Sequence, residues 1–204
     1  MNWLSHIFLS ENTIEFQIGN YLSDPLKGKA WENSSNDLKN GIHIHKIIDS
    51  FCDKNVYFIN SKNKLRQKGL LRGVAVDIIY DYLLTKNWDK FCNIPFEDFT
   101  NSFYKNSKEV SKNYPINAQI EINKINKYKL LHAYTNLEDV ALTYKSIDRR
   151  LSPRLLKRDT LISYKEATFE KIDEIEKDFL EFFPIMCEEI KKHTNTKRLN
   201  HWKI

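Results

Sequence analysis

The 204-residue chain has few of the residues that punctuate or staple a fold: five Gly, five Pro and three Cys. Long segments of helical period with few clean alternating runs, and so little Gly and Pro between them, exclude a turn-rich β-sandwich or barrel and predict an all-α protein. The cysteines, at positions 52, 92 and 187, have no CxxC spacing and are odd in number. That excludes a disulfide framework and suits a reducing, cytoplasmic setting. No apolar run approaches bilayer length, and MNWLSHIFLS has no basic stretch before its apolar residues, so neither a membrane span nor a secretory signal is expected. No GxxxxGK[ST] loop, GxSxG elbow or zinc-type Cys/His spacing occurs, which argues against P-loop and α/β-hydrolase chemistry. No Gly/Pro/Ser-rich linker divides the chain, so one helical domain is expected over residues 1–193, followed by a polar, frayed tail over 194–204.

What the chain does contain is two helical stripes interrupted by metal-ligand residue types. Leu38, Ile42, His45, Asp49 and Cys52 recur at steps of four and three, as do Leu70, Val74, Asp77, Asp81, Leu84 and Trp88, and such steps trace one face of a helix. Residues four apart stand one above the other, so His45 pairs with Asp49 and Asp77 with Asp81. An unpaired carboxylate on a core face costs several kcal/mol or is forced to protonate, and a divalent cation removes that cost. An exposed i,i+4 ion pair explains His45 and Asp49 equally well on spacing alone. Two like charges one turn apart among apolar residues are harder to explain without a cation.

His6, in the first of two short helices expected before residue 22, and Asp24, ahead of Pro25, extend the set. Taken alone, each has an ordinary reading as a packed His or a turn Asp. His43 lies about 160 degrees around its helix from His45 and is read as structural. His132, His193 and His201 have no ligand neighbours at useful spacing. Imidazole and carboxylate ligands without thiolate suit Mn²⁺, Fe²⁺ or Mg²⁺ better than a structural Zn²⁺, and point to metal-assisted hydrolysis.

Four motifs, MNWLSHIFLS, GNYLSDPLKG, GIHIHKIIDSFCD and DIIYDYLL followed by Trp88, resemble in order and spacing the acyl carrier protein phosphodiesterase family, a divergent branch of the HD-domain phosphohydrolases. The resemblance implies a single-domain helical bundle of HD-like fold. It also implies hydrolysis of the phosphodiester joining 4'-phosphopantetheine to a serine of holo acyl carrier protein, with Mn²⁺ the expected metal. Carried over by position, His6, Asp24, His45, Asp49, Asp77 and Asp81 are the expected ligands, with Asp49, Asp77 and Asp81 also catalytic. Two departures stand out: there is no His-Asp dipeptide of the usual HD signature, and Tyr82 follows Asp81 where the family usually has His.

The segment YKSIDRRLSPRLLKRD concentrates Lys145, Arg149, Arg150, Arg154, Lys157 and Arg158 against Asp148 and Asp159. Acyl carrier proteins are acidic, so Arg149, Arg150, Arg154, Lys157 and Arg158 are expected to dock the partner. The segment lacks the aromatic interleaving of a nucleic-acid binder. Two alternatives stay open: a phosphohydrolase of the same type acting on a nucleotide or other small phosphoester, and a non-catalytic helical binding protein.

Overall fold

Ser35 accepts a hydrogen bond from the Leu38 amide at 3.1 Å and so begins α3 (Asn36–Lys54), because a side-chain oxygen at this position satisfies a helix amide that has no partner within the helix. Asn55 closes α3 and opens α4 (Val56–Leu65), accepting from the Tyr57 amide at 2.9 Å. These contacts come from a computed structural model that describes residues 1–204. Before α3 lie α1 (Trp3–Phe8) and α2 (Ile14–Leu22), and after α4 come α5 (Arg72–Lys86) and α6 (Trp88–Phe91). Pro95 and Pro115 immediately precede α7 (Phe96–Val110) and α8 (Ile116–Lys127), where a fixed φ and a missing amide cost least. The remaining helices are α9 (Leu137–Asp148), α10 (Pro153–Leu156) and α11 (Lys165–Lys191), the last running through Pro184. The protein is therefore all-α, with a single β-bridge between Cys92 and Trp202, and no helix is long and apolar enough to cross a membrane. All three cysteines are free and buried.

The centre of the molecule is α5, which packs against α1, α4, α9 and α11. Ala75, Val76, Ile78, Ile79, Tyr80, Leu83 and Leu84 are all buried, so this helix is covered on nearly every side. The expected single stripe is corrected here: Leu70 is 51% exposed and Val74 38%, while apolar residues between the stripe positions fill the core. The polar stretch SKNKLRQKG is half helical because α4 runs through its first five residues.

The α2–α3 contact is the closest in the fold. A methyl group at Gly19 would run into the Leu38 carbonyl, and one at Gly41 into the Phe16 carbonyl. Glycine at both positions lets the two backbones touch, which brings the end of α2 against the middle of α3. Residues 194–204, expected to be a frayed tail, instead close over α1. His201 and Trp202 are buried, both ring nitrogens bond the Phe8 carbonyl oxygen, at 2.8 and 2.9 Å, and Arg198 bridges Glu11 and Asp37 at 3.2 and 3.1 Å. Large apolar area at Trp202, stacked on Phe8 with ring centroids 5.6 Å apart, outweighs the polar composition of the segment.

Candidate metal centre

Asn20, at the end of α2, orients two imidazoles at once. Its side-chain carbonyl accepts from His6 Nδ1 at 2.8 Å, and its backbone carbonyl accepts from His45 Nδ1 at 2.8 Å. Its amide group donates to the His6 carbonyl and to Ser10 Oγ, at 2.7 and 3.0 Å. Carbonyl oxygens can only accept, so both rings carry their proton on Nδ1 and present Nε2 to the same space. The rings stack with centroids 4.0 Å apart and planes 14° from parallel.

Carboxylates from α3 and from the turn after α2 face these nitrogens. Asp49 lies 3.4 Å from His6 Nε2 through one oxygen and 3.2 Å from His45 Nε2 through the other. Asp24 approaches His45 Nε2 at 3.1 Å. The donor atoms of His6, His45 and Asp49 all lie within 4.8 Å of one another. Asp77, on α5, is joined to this group through the N-terminal ammonium, which stands 3.0 Å from Asp77 and 3.5 Å from Asp49. Two carboxylates from different helices thus already surround one positive charge.

The electrostatics of the two histidines differ. Burial, reinforced by the nearby His45, lowers the His6 pKa to about 4. Burial works in the same direction at His45, but hydrogen bonds to Asp24 and Asp49 outweigh it and raise its pKa to about 9. Burial alone would raise Asp49, yet its bond with His45 and the nearness of His6 hold it far below the usual carboxylate range. His6 Nε2 is buried with no hydrogen-bond partner, an arrangement that costs free energy unless another group takes the lone pair. A neutral imidazole fixed in its tautomer by Asn20, with a bare nitrogen aimed at carboxylates, fits a divalent cation.

Asp81 departs from its expected place. Both its oxygens face the first turn of α1, accepting from the Leu4 amide at 2.9 Å, the Ser5 amide at 3.0 Å and the Ser5 hydroxyl at 2.5 Å. Burial raises its pKa to about 6 against these bonds. An acid at the positive end of a helix is stabilised by the unpaired amides there, so Asp81 carries α1, and with it His6, rather than a cation. The helical stripe placed Asp81 on the same face as Asp77 but could not show which group it met. Tyr82, its neighbour, is packed against the core and lines neither cavity beside the site.

Two cavities adjoin the cluster and share Met1, Asp24, Val74 and Asp77. One, of about 310 Å³, is acidic, with Asp49 and Asp53 added to its wall. The other, of about 550 Å³, is mostly apolar and reaches α9. His43 is exposed and outside the cluster. His132 and His193 pair with Glu97 and Glu189 at 3.0 and 3.1 Å.

The basic segment lies across the end of α9 and over α10. Lys145, Arg149, Arg150, Arg154, Lys157 and Arg158 are all exposed. The two acids that oppose them in sequence turn inward. Asp148 accepts from the Leu161 and Ile162 amides at 2.8 and 2.9 Å, and Asp159 from the Leu71 amide at 3.0 Å and the Tyr164 hydroxyl at 2.6 Å. The positive surface is left without acidic partners.

An all-helical fold with an imidazole–carboxylate cluster beside two cavities defines a candidate metal-dependent hydrolase. The family model described as acyl carrier protein phosphodiesterase matches residues 1–186, and the chain belongs to that family. A relative named acyl carrier protein phosphodiesterase, from Escherichia coli O6:H1, is 24% identical over 94% of this chain and 98% of its own. Another of the same name, from Photorhabdus laumondii, is 25% identical over 92% of this chain and 94% of its own. No solved structure matches the chain.

Proposed function

We propose that the chain hydrolyses the phosphodiester joining 4'-phosphopantetheine to a serine of holo acyl carrier protein, releasing apo carrier protein and 4'-phosphopantetheine. The single observation that carries this reading is the buried, unpaired His6 Nε2 converging with His45 and Asp49, in a chain of that family. His6, His45 and Asp49 would hold a divalent cation, with Asp24 and Asp77 beside them, and Mn²⁺ is the expected ion, with Fe²⁺ and Mg²⁺ chemically compatible. Such an ion supplies positive charge against the phosphate and makes water a better nucleophile at neutral pH.

The protein's own residues supply the rest. Asn20 fixes both rings so that Nε2 faces the substrate side. Asp24, 84% exposed at its side chain, and Asp77, which lines both cavities, are placed to accept a proton from attacking water. The unneutralised arginines of α9 and α10 favour encounter with an acidic protein and set its orientation.

Purified protein incubated with Mn²⁺ and holo carrier protein should shorten the carrier by one phosphopantetheine, read by intact-protein mass spectrometry. An unchanged carrier mass across Mn²⁺, Fe²⁺ and Mg²⁺ sinks the proposal.

A further inference from the structure

The larger cavity beside the cluster is built differently from the acidic one. Its volume of about 550 Å³ falls in the range that encloses one small organic molecule. Trp3, Ile78, Leu130, Ala133 and Ile147 give it apolar walls. Val74, 38% exposed, stands on the wall that it shares with the acidic cavity. Beyond the Asp24 and Asp77 that both cavities share, its uncharged polar groups are spaced: Asn2, which donates to the Tyr134 hydroxyl at 2.6 Å, and the hydroxyls of Thr143 and Ser146 on α9. The Met1 ammonium is paired with Asp77 at 3.0 Å, and of the two cationic side chains Lys124 is paired with Glu121 at 3.4 Å. Arg150 bonds only the Ser146 carbonyl, at 3.2 Å, and belongs also to the basic surface of α9 and α10.

We infer that this cavity is the binding site for the pantetheine arm, a neutral chain with two amides, a gem-dimethyl group and a thiol. The inference rests on the phosphodiesterase reading, because that reading fixes the phosphate at the cluster and so requires the arm to leave from it. Two exits adjoin the cluster. The acidic one adds Asp49 and Asp53 to the Asp24 and Asp77 that both present, which suits a cation and offers a neutral chain little apolar area. The other offers apolar walls for the methyl and methylene groups and isolated hydroxyl and amide groups for the two amides. A ligand with several phosphates would need more than one free cation on the walls, and Arg150 is alone. Because the phosphate is bonded directly to the serine, the carrier stays beside the cluster and the arm runs from Asp77 toward α9, its thiol end furthest from the carrier.

The test uses the full chain loaded with Mn²⁺, as wild type, Ala133→Trp and Thr143→Trp. The two variants fill the cavity from different walls, so a folding defect in one leaves the other, and circular dichroism and bound Mn²⁺ confirm that each is intact. Pantetheine itself, without phosphate or carrier, is titrated by calorimetry. Saturable binding to wild type is expected, weakened at least tenfold in both variants, with KM for holo carrier protein raised at least tenfold and kcat changed less. Absence of saturable pantetheine binding to wild type, or binding that both variants leave intact, overturns the assignment. If holo carrier is not cleaved but pantetheine binds and both variants block it, the activity fails and the cavity assignment stands. If all three proteins cleave the carrier alike and pantetheine does not bind, the activity stands and the assignment fails.

Discussion

His6 and His45 come from helices separated by α2, yet their rings lie parallel with centroids 4.0 Å apart, and a single residue, Asn20, bonds Nδ1 of both. Two imidazoles so close tolerate at most one positive charge between them, and the divergent pKa values, about 4 and about 9, express that division. Asn20 decides which nitrogens remain for a cation. Asn20→Ala should lower Mn²⁺ affinity by roughly 10–100-fold, the usual loss when a group orienting a ligand His is removed. Calorimetric Mn²⁺ titration checks this, and affinity equal to wild type would place the cation elsewhere.

Asp49 and Asp81 should separate cleanly by mutation. Asp49→Asn removes the group bridging both histidines, so bound Mn²⁺ and carrier cleavage should both be lost while the helical circular dichroism signal persists. Asp81→Asn should keep stoichiometric Mn²⁺ and lose about 1–3 kcal/mol of stability, because buried amides at the start of α1 lose a charged acceptor. Urea unfolding with metal analysis on the same samples reads both. Loss of metal in the Asp81 variant at unchanged stability would restore it to the ligand set.

The buried tail predicts a pH dependence of stability. Burial lowers the His201 pKa to about 4, against the raising effect of its bond to the Phe8 carbonyl. The unfolded chain, with a His pKa near ~6.5, binds the proton first as pH falls. The stability is therefore complete above about pH 6.5 and declines toward pH 4. His201→Phe should flatten that decline by about 3 kcal/mol. Trp202 still supplies a donor to the Phe8 carbonyl at 2.9 Å, so the variant leaves that oxygen paired. Urea denaturation of both proteins from pH 7 to pH 4 measures the difference, and parallel curves would show that His201 does not contribute.

Charge reversal on the basic surface should act on encounter more than on chemistry. Arg149→Glu with Arg154→Glu is expected to raise KM for holo carrier protein several-fold with kcat little changed, and to weaken the dependence of kcat/KM on salt. Steady-state kinetics at two ionic strengths decide it. An unaltered KM would move the docking face away from α9 and α10.

Much of the helical order was legible in the sequence because its signals are local. The steps of four and three from Leu38 to Cys52 trace one face of α3 without any tertiary contact. The His45 and Asp49 pair was legible for the same reason, since residues four apart must share a face. What stayed hidden depends on contacts between distant segments. Asn20 looked like one polar residue in a motif, and only the glycine contact of α2 with α3 shows it meeting His45. Asp81 carried the right spacing for a ligand, but spacing along α5 says nothing about the start of α1 lying against it. The tail was misjudged from its polar composition, although Trp202 was the one residue in it large enough to pay for burial.

The two donors to the Phe8 carbonyl lie 193 and 194 residues further along the chain. The helix bearing His6 is gripped at its start by Asp81 and at its end by His201 and Trp202. His6 is therefore held through contacts with three segments far apart in sequence, and the order of the imidazole pair depends on all of them.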